Sequence, residues 1–289
     1  MPELPEVQTV VSDLNKKIKG EIIASFWSDW PSAIKNATLA KFKKAIKNSK
    51  ILGARRIGKN IFIDLTGEKT LYIHLKMTGH LLIKSKVESR KLKVNTADHF
   101  QDRVNQYIHH IWQFKSGKRL EFSDLRKFAK IILVKTKEVE DLPEIKALGI
   151  DALDPHFTLA KFREILSRKP KALVGVLLMD QTLIAGIGNI YRSEILFLAG
   201  VLPTRKVGNL SKEEEKKIFL ATKKILKKAV ELRGTSDSDY RDTDGAPGGF
   251  QKILRVYRKA GEKCEKCDRM IESDKLAQRS VFFCPKCQK

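Results

Sequence analysis

Near the C-terminal end the chain reads Cys264-Glu265-Lys266-Cys267, then sixteen residues, then Cys284-Pro285-Lys286-Cys287. These are its only four cysteines, and the double C-x2-C spacing is that of a structural zinc site. Each short turn presents a thiolate pair, and four sulfurs close a tetrahedron around one Zn2+. Two disulfides would be the alternative in a secreted protein, but the first thirty residues hold no basic-then-apolar signal segment. With no fifth ligand or open position in view, the expected zinc folds the segment and does no chemistry. Alternation from Lys252 to Arg258 and the strand-like Ser280–Phe283 point to a β-hairpin carrier.

Upstream, helical periodicity dominates Leu159–Leu166, Leu173–Met179, Ile190–Leu198 and Lys212–Leu232. Residues 234–249 form a polar, glycine-rich loop without apolar anchors, long enough to be either functional or disordered. Leu142-Pro143 to Pro155 reads as a linker. Before it, Val7–Ile18 is an amphipathic helix, followed by short strands at 22–27, 51–57, 60–65, 71–75, 107–114, 119–122 and 130–134. Regularly spaced short strands of this kind suggest a β-sandwich, and residues 84–106 read as an exposed polar loop. The expected class is α+β and multidomain: an N-terminal β-sandwich with flanking helices (1–135), a linker (136–158), a helical domain (159–250) and a zinc hairpin (251–289).

Charge narrows the partner. Lys and Arg number 57 against 34 Asp and Glu, a net +23, while 42% hydrophobic content excludes intrinsic disorder. The excess is spread along the chain: 27 basic and 12 acidic side chains in residues 1–135, 30 and 22 in the remainder. A polyanion, either nucleic acid or an anionic membrane face, is implied. The longest apolar run, Ala172–Met179, is too short to span a bilayer. In the densest basic stretch, Lys35 to Lys59, Leu39, Phe42 and Ile46 recur at helical spacing, so many of its lysines line a solvated helix face.

Two further stretches carry chemistry. The chain opens Met1-Pro2-Glu3-Leu4-Pro5-Glu6. Removal of Met1 would expose Pro2 as a secondary amine, and an α-amino group titrates near pH 8, roughly two units below lysine. Such an amine can attack a sugar carbon and form an iminium, with Glu3 and Glu6 beside it as acid/base or orienting groups. Proline and glutamate at a helix start are also ordinary capping chemistry. The second stretch, Asp180 to Tyr191, runs through Gly186-Ile187-Gly188-Asn189 into a helix whose first amides can hold a phosphate; a packing turn between helices fits it equally.

Taken together, Met1–Val7, the turn Gly186-Ile187-Gly188-Asn189-Ile190-Tyr191 with Ser193-Glu194, and Ala277-Gln278-Arg279-Ser280 with Phe282-Phe283-Cys284 resemble the formamidopyrimidine-DNA glycosylase family. The likeness runs from the first residue to the last, and Leu4 after Glu3 favours this branch over the endonuclease VIII branch. It implies a helix–two-turns–helix domain bearing the zinc hairpin, one structural Zn2+, and loop 234–249 as the lesion-recognition loop. It further implies a bacterial, cytoplasmic, nucleoid-associated monomer that takes damaged double-stranded DNA across a basic cleft and binds no membrane.

By this resemblance Pro2 is the nucleophile, Glu3 the acid/base, Glu6 a supporting carboxylate and Lys59 the turn lysine gripping a phosphate. His74, Asn189 and Arg279 are implied phosphate ligands, and Lys171 and Tyr191 complete the expected DNA contacts. Met77, Arg126 and Phe128 are the implied wedge that fills the void left by a flipped base, although His74, Met77 and Phe128 also sit in patterns that suit a core. The implied activity is removal of oxidised purines with β,δ-elimination through a Pro2 Schiff base; the alternatives are an endonuclease VIII-like specificity for oxidised pyrimidines and a non-catalytic damage binder. Two departures stand out. Asp124-Leu125-Arg126-Lys127-Phe128 has Leu125 for the family's proline and Lys127 for its second arginine, which keeps charge but loses the bidentate fork. Ser238, between Asp237 and Asp239, stands where Lys or Arg is frequent.

Overall fold

The computed structural model describes residues 1–85 and 99–289, so most of the expected loop 84–106 lies outside the described residues. The chain divides into two compact units, Met1–Lys146 with Leu232–Gly249, and Ala147–Glu231 with Phe250–Lys289.

The first unit is a sandwich of two antiparallel four-stranded sheets. One has the order β1 (Ile23–Ser28), β6 (Ile108–Phe114), β7 (Arg119–Ser123), β5 (His80–Lys84); the other β2 (Ile51–Ile57), β3 (Asn60–Leu65), β4 (Lys69–His74), β8 (Lys130–Lys135). Ile61, Ile63, Ile73 and Ile131 from the second sheet meet Phe26, Leu81, Trp112 and Phe122 from the first in one core. Helix α1 (Leu4–Lys17) adds Val7, Val10, Val11 and Leu14 to that core, the apolar stripe read from the sequence. Helix α2 (Leu39–Ile46) buries Phe42 and Ile46 completely, with Phe42 edge-on to Phe26 at 5.0 Å. The turn at 143–146 forms a short α3 (Pro143–Lys146).

The sequence reading missed strand β5. Its apolar centre is only three residues long and runs straight into charged sequence, so it shows no alternation; pairing with β7 from His80↔Ser123 to Lys84↔Arg119 makes the strand.

The second unit is mainly helical: α4 (Leu159–Ser167), α5 (Val174–Leu177), α6 (Asn189–Ala199) and α7 (Lys212–Glu231). The expected linker is not structureless. Strand β9 (Ile150–Asp151), inside it, pairs in parallel with β10 (Ile184–Ala185). The zinc hairpin is β11 (Glu272–Leu276) and β12 (Arg279–Phe283). Lys252–Arg258, expected to alternate as a strand, instead continues a 3-10 turn at Phe250–Ile253 into irregular backbone. Its amides go to a side chain: buried Glu194 of α6 accepts from the N–H groups of Arg255, Val256 and Tyr257 at 2.9–3.2 Å. A carboxylate supplies the partners a strand would have found in a sheet. Burial pushes the Glu194 carboxyl above its ordinary value, against those three amides.

Segment 232–249 differs most from expectation. The sequence places residues 234–249 in the helical domain as a loop without apolar anchors, whereas Leu232–Gly249 belongs to the first unit and Tyr240 sits in the sandwich core. Among the described residues no helix is long and apolar enough to cross a membrane.

Candidate active site and nucleic-acid interface

Helix α1 begins with a capping box: the Glu3 side chain accepts from the N3 amide, and Glu6 Oε2 accepts from the Glu3 amide at 2.7 Å. Capping alone would leave such carboxylates in water, but Glu3 and Glu6 are 2% and 1% exposed, and Pro2 is buried before them. The second Glu6 oxygen, Oε1, accepts from the Thr235 amide at 2.7 Å. One buried carboxylate thus holds both the backbone that carries Pro2 and the start of loop 234–249. Gly234 permits this approach: it lies at φ 82°, and a Cβ there would sit 2.6 Å from Glu6 Oε1.

The rest of that loop is fastened around α1. Arg233 binds Asp13 through both terminal nitrogens and Asp242 through Nε at 2.8 Å; Thr243 donates to Asp13 at 2.7 Å, and Lys17 pairs with Asp244 at 2.6 Å. Burial raises the Asp13 carboxyl, but these donors win and hold it below the usual range. Asp13, Asp242 and Asp244 could together hold a cation, but Arg233 and Lys17 already supply the positive charge. Arg241 pairs with Asp102, and Asn105 donates to Gly245 O at 3.1 Å while meeting His80 Nε2 at 2.8 Å. The exposed tip carries Ser238.

Lys59 lies in the two-residue turn between β2 and β3, whose first residue, Gly58, has φ 58°. The turn is braced by Arg56 donating to Gly58 O at 2.7 Å and by Asn60 donating to Ile57 O at 2.9 Å. His74 ends β4 half-buried, and its Nδ1 accepts from the Lys76 amide at 2.9 Å. Burial first, then the charges of Lys76 and Lys59, push its pKa down to about 3. The ring is therefore neutral, with its proton on Nε2 available to an acceptor.

Met77 and Phe128 are not core residues: they are 42% and 51% exposed. Arg126 joins them, its Nη1 3.2 Å from Met77 Sδ and its guanidinium 4.7 Å from the Phe128 ring centre. Sequence reasoning missed what holds this cluster. Fully buried Asp124 accepts from the Thr78 hydroxyl and from the amides of Arg126, Phe128 and Ala129, the last two at 2.9 and 3.0 Å. That one carboxylate pins the backbone on both sides of Lys127, which is itself exposed at φ 53°.

In the second unit Asn189 opens α6, and its Oδ1 accepts from Arg192, leaving the Nδ2 edge as donor. Arg192 is fully buried and also donates to Gly175 O and to Ser280 O, tying Asn189 to the strand that begins at Arg279. A charged residue three places after Asn189 on an apolar helix was the available signal for this role. Arg279 is exposed and follows a turn in which Ala277 and Gln278 both have positive φ, 46° and 62°. Lys171 is exposed before α5. Tyr191, expected among the DNA contacts, is fully buried with its ring edge-on to Phe250 at 5.4 Å; it packs the unit instead.

The four cysteine sulfurs lie within 4.8 Å of one another, with Cys264–Cys287 at 3.8 Å and Cys267–Cys284 at 3.5 Å. Tetrahedral Zn–S bonds of about 2.3 Å require sulfurs about 3.8 Å apart, so the cluster fits one structural zinc. Cys264 and Cys284 are buried against Phe197, Val256 and Ile271.

Three families match in succession: the formamidopyrimidine-DNA glycosylase N-terminal domain over residues 1–131, its H2TH domain over 148–241, and the zinc finger found in FPG and IleRS over 261–289. Formamidopyrimidine-DNA glycosylases of Pelotomaculum thermopropionicum and Carboxydothermus hydrogenoformans are 36% and 37% identical to the chain over 289 residues, covering all of it and 99% and 100% of themselves. Among solved structures, Lactococcus lactis Fpg bound to DNA containing an abasic site superposes with a TM-score of 0.85 at 31% identity and 99% coverage of both chains. MutM bound to DNA containing carbocyclic 8-oxo-G gives 0.84 at 31% identity and full coverage. The chain belongs to the formamidopyrimidine-DNA glycosylase family.

Proposed function

We propose that this DNA glycosylase excises oxidised purines and then cleaves the strand, with Pro2 as the nucleophile. The observation that carries the reading is the buried start of α1, where Glu6 fixes the Glu3 backbone next to Pro2. A helix cap exposed to water would not need two buried carboxylates.

Once Met1 is removed, the Pro2 nitrogen attacks C1′ as the bond from C1′ to the base breaks and the base leaves with that electron pair. Glu3 takes the proton that the Pro2 nitrogen loses after attack and delivers it to the sugar ring oxygen, so the ring opens to an iminium. Loss of a C2′ proton expels the 3′ phosphate, a second elimination expels the 5′ phosphate, and water returns the free amine. Lys59, the neutral His74 through Nε2–H, Asn189 through Nδ2 and Arg279 are assigned to phosphates, with Lys171 and Lys127 as outer contacts. Met77, Arg126 and Phe128 are assigned to the gap left by the flipped nucleotide: two apolar side chains restore stacking, and the guanidinium faces the orphaned base. The zinc holds the hairpin that presents Arg279.

Specificity is the open axis, because the acidic tip Asp237-Ser238-Asp239 offers no cation to the base. Single-turnover excision from duplexes bearing 8-oxoguanine, a formamidopyrimidine or an oxidised pyrimidine tests the assignment. Fastest release of the purine lesions, with phosphates on both ends of the gap, is expected. Faster release of the pyrimidine would replace it with the endonuclease VIII-like reading, and binding without release would indicate a damage binder.

A further inference from the structure

The first unit carries a basic surface that the proposed chemistry does not use. Residues 38–50 contain Lys41, Lys43, Lys44, Lys47 and Lys50 and no acidic residue. All five lysines are exposed, and none has an ion-pair partner among the described residues. Other lysine-bearing helices carry acids among their lysines: α4 pairs Lys161 with Glu164, and α7 pairs Lys212 with Glu215 and Lys228 with Glu231, although Lys216, Lys217, Lys224 and Lys227 of α7 have no ion pair among the described residues. On α2 the spacings are instead like-charged, Lys41 to Lys44 and Lys43 to Lys47, which repel along the helix face.

Three backbone rulers separate this surface from Pro2, Lys59 and His74. The end of α2 adjoins the far end of α1, where Gly20 donates to Ile51 O and Ile23 to Ser49 O; the 14 residues of α1 put Pro2 about 20 Å away. Lys50 directly precedes β2, whose seven residues run about 23 Å before the Lys59 turn. Lys69, which donates to Ala45 O at 2.6 Å, starts β4, and His74 ends it about 17 Å on.

We propose that the lysine face of α2 is a second duplex-DNA surface, holding phosphates of a segment other than the one seated at Lys59 and His74. The proposal rests on the glycosylase reading for where the lesion duplex sits. Point charges on flexible stems suit phosphates without reading bases. A membrane fits poorly, because Phe42 and Ile46 are locked in the core and Leu39 is half-buried, so α2 itself exposes no large apolar side chain to insert. Two surfaces of this kind let the enzyme pass between DNA segments without releasing both.

The test uses the full zinc-loaded protein, trapped by borohydride on a short lesion duplex and offered a second, undamaged labelled duplex. Wild type is expected to capture it with an affinity that falls about a hundredfold from about 50 to 200 mM salt, as four phosphate contacts require. A variant carrying Lys41→Glu, Lys43→Glu, Lys44→Glu and Lys47→Glu should lose capture at every salt concentration while its trapping yield and melting temperature hold. The corresponding glutamine variant should lose most of the salt dependence. No capture by the trapped wild type, capture undiminished in the variants, or stronger binding of anionic vesicles than of duplex would overturn the proposal. Failure of trapping itself would count against Pro2 chemistry, and second-site binding would then be read on the free protein at an abasic-analogue duplex.

Discussion

Substituting Gly234 by alanine should break the contact between the N-terminal helix and the loop, and its size can be worked out in two parts. An L-residue at φ 82° costs about 1–2 kcal/mol in the left-handed region. The new Cβ would also stand 2.6 Å from Glu6 Oε1 and 2.8 Å from its Cγ, so the carboxylate must move off the Thr235 amide. Losing that buried, charge-assisted bond costs about 1.5–3 kcal/mol more. Gly20 provides the control, since it has φ 90° in the same unit and nothing within 4 Å of its Cβ position. Gly20→Ala should therefore show the backbone part alone. Thermal unfolding of both variants should place Gly234→Ala below Gly20→Ala by the second part, a difference of about 3–12 °C at 2–4 °C per kcal/mol. Cleavage at a preformed abasic site should also slow in Gly234→Ala only, because that substrate has no base for the loop to read. Equal melting temperatures for the two variants would refute the claim that Glu6 couples loop and helix.

Three other outcomes follow from the same geometry. Ala277→Asn with Gln278→Gly puts residues suited to positive φ into the hairpin turn and should raise the hairpin's stability by about 1–2 kcal/mol, read as slower zinc loss to a chelator. His110 is fully buried, and burial first, then the charge of His109, lowers its pKa to about 4. The unfolded chain then binds the extra proton between about pH 6.5 and 4, so stability present above pH 6.5 is lost as pH falls through that window; His110→Gln should flatten that slope of melting temperature against pH. Leu125→Pro restores proline at the second position of the turn closed by Lys127 N–H to Asp124 O, and should stabilise the first unit by about 0.4–1 kcal/mol in thermal unfolding.

The zinc site and most strands and helices were legible because they depend on spacing and periodicity, which are local. Val7 to Leu14 on α1 and the paired C-x2-C turns needed no tertiary information. What escaped is what distant partners decide. Strand β5 exists through β7, and 252–258 lost its strand to the Glu194 carboxylate. Loop 234–249 reads as polar and without apolar anchors, yet Thr235, Thr243 and Asp244 find α1, Arg241 finds Asp102, and its single tyrosine finds the core. The resemblance gave roles to Glu6 and Arg126 but none to Thr235, Asp124 or Arg192, which hold such residues in place. Buried polar side chains of that kind look like surface residues in a sequence.

The proposed chemistry rests on the N-terminal amine of Pro2. Borohydride reduction during turnover on 8-oxoguanine duplex, followed by trypsin and nuclease digestion, locates the sugar remnant by mass. The remnant is expected on the peptide spanning residues 2–16, with Met1 absent. A remnant on a peptide containing Lys59 or any other internal lysine, or no remnant in protein that has lost Met1, would contradict it.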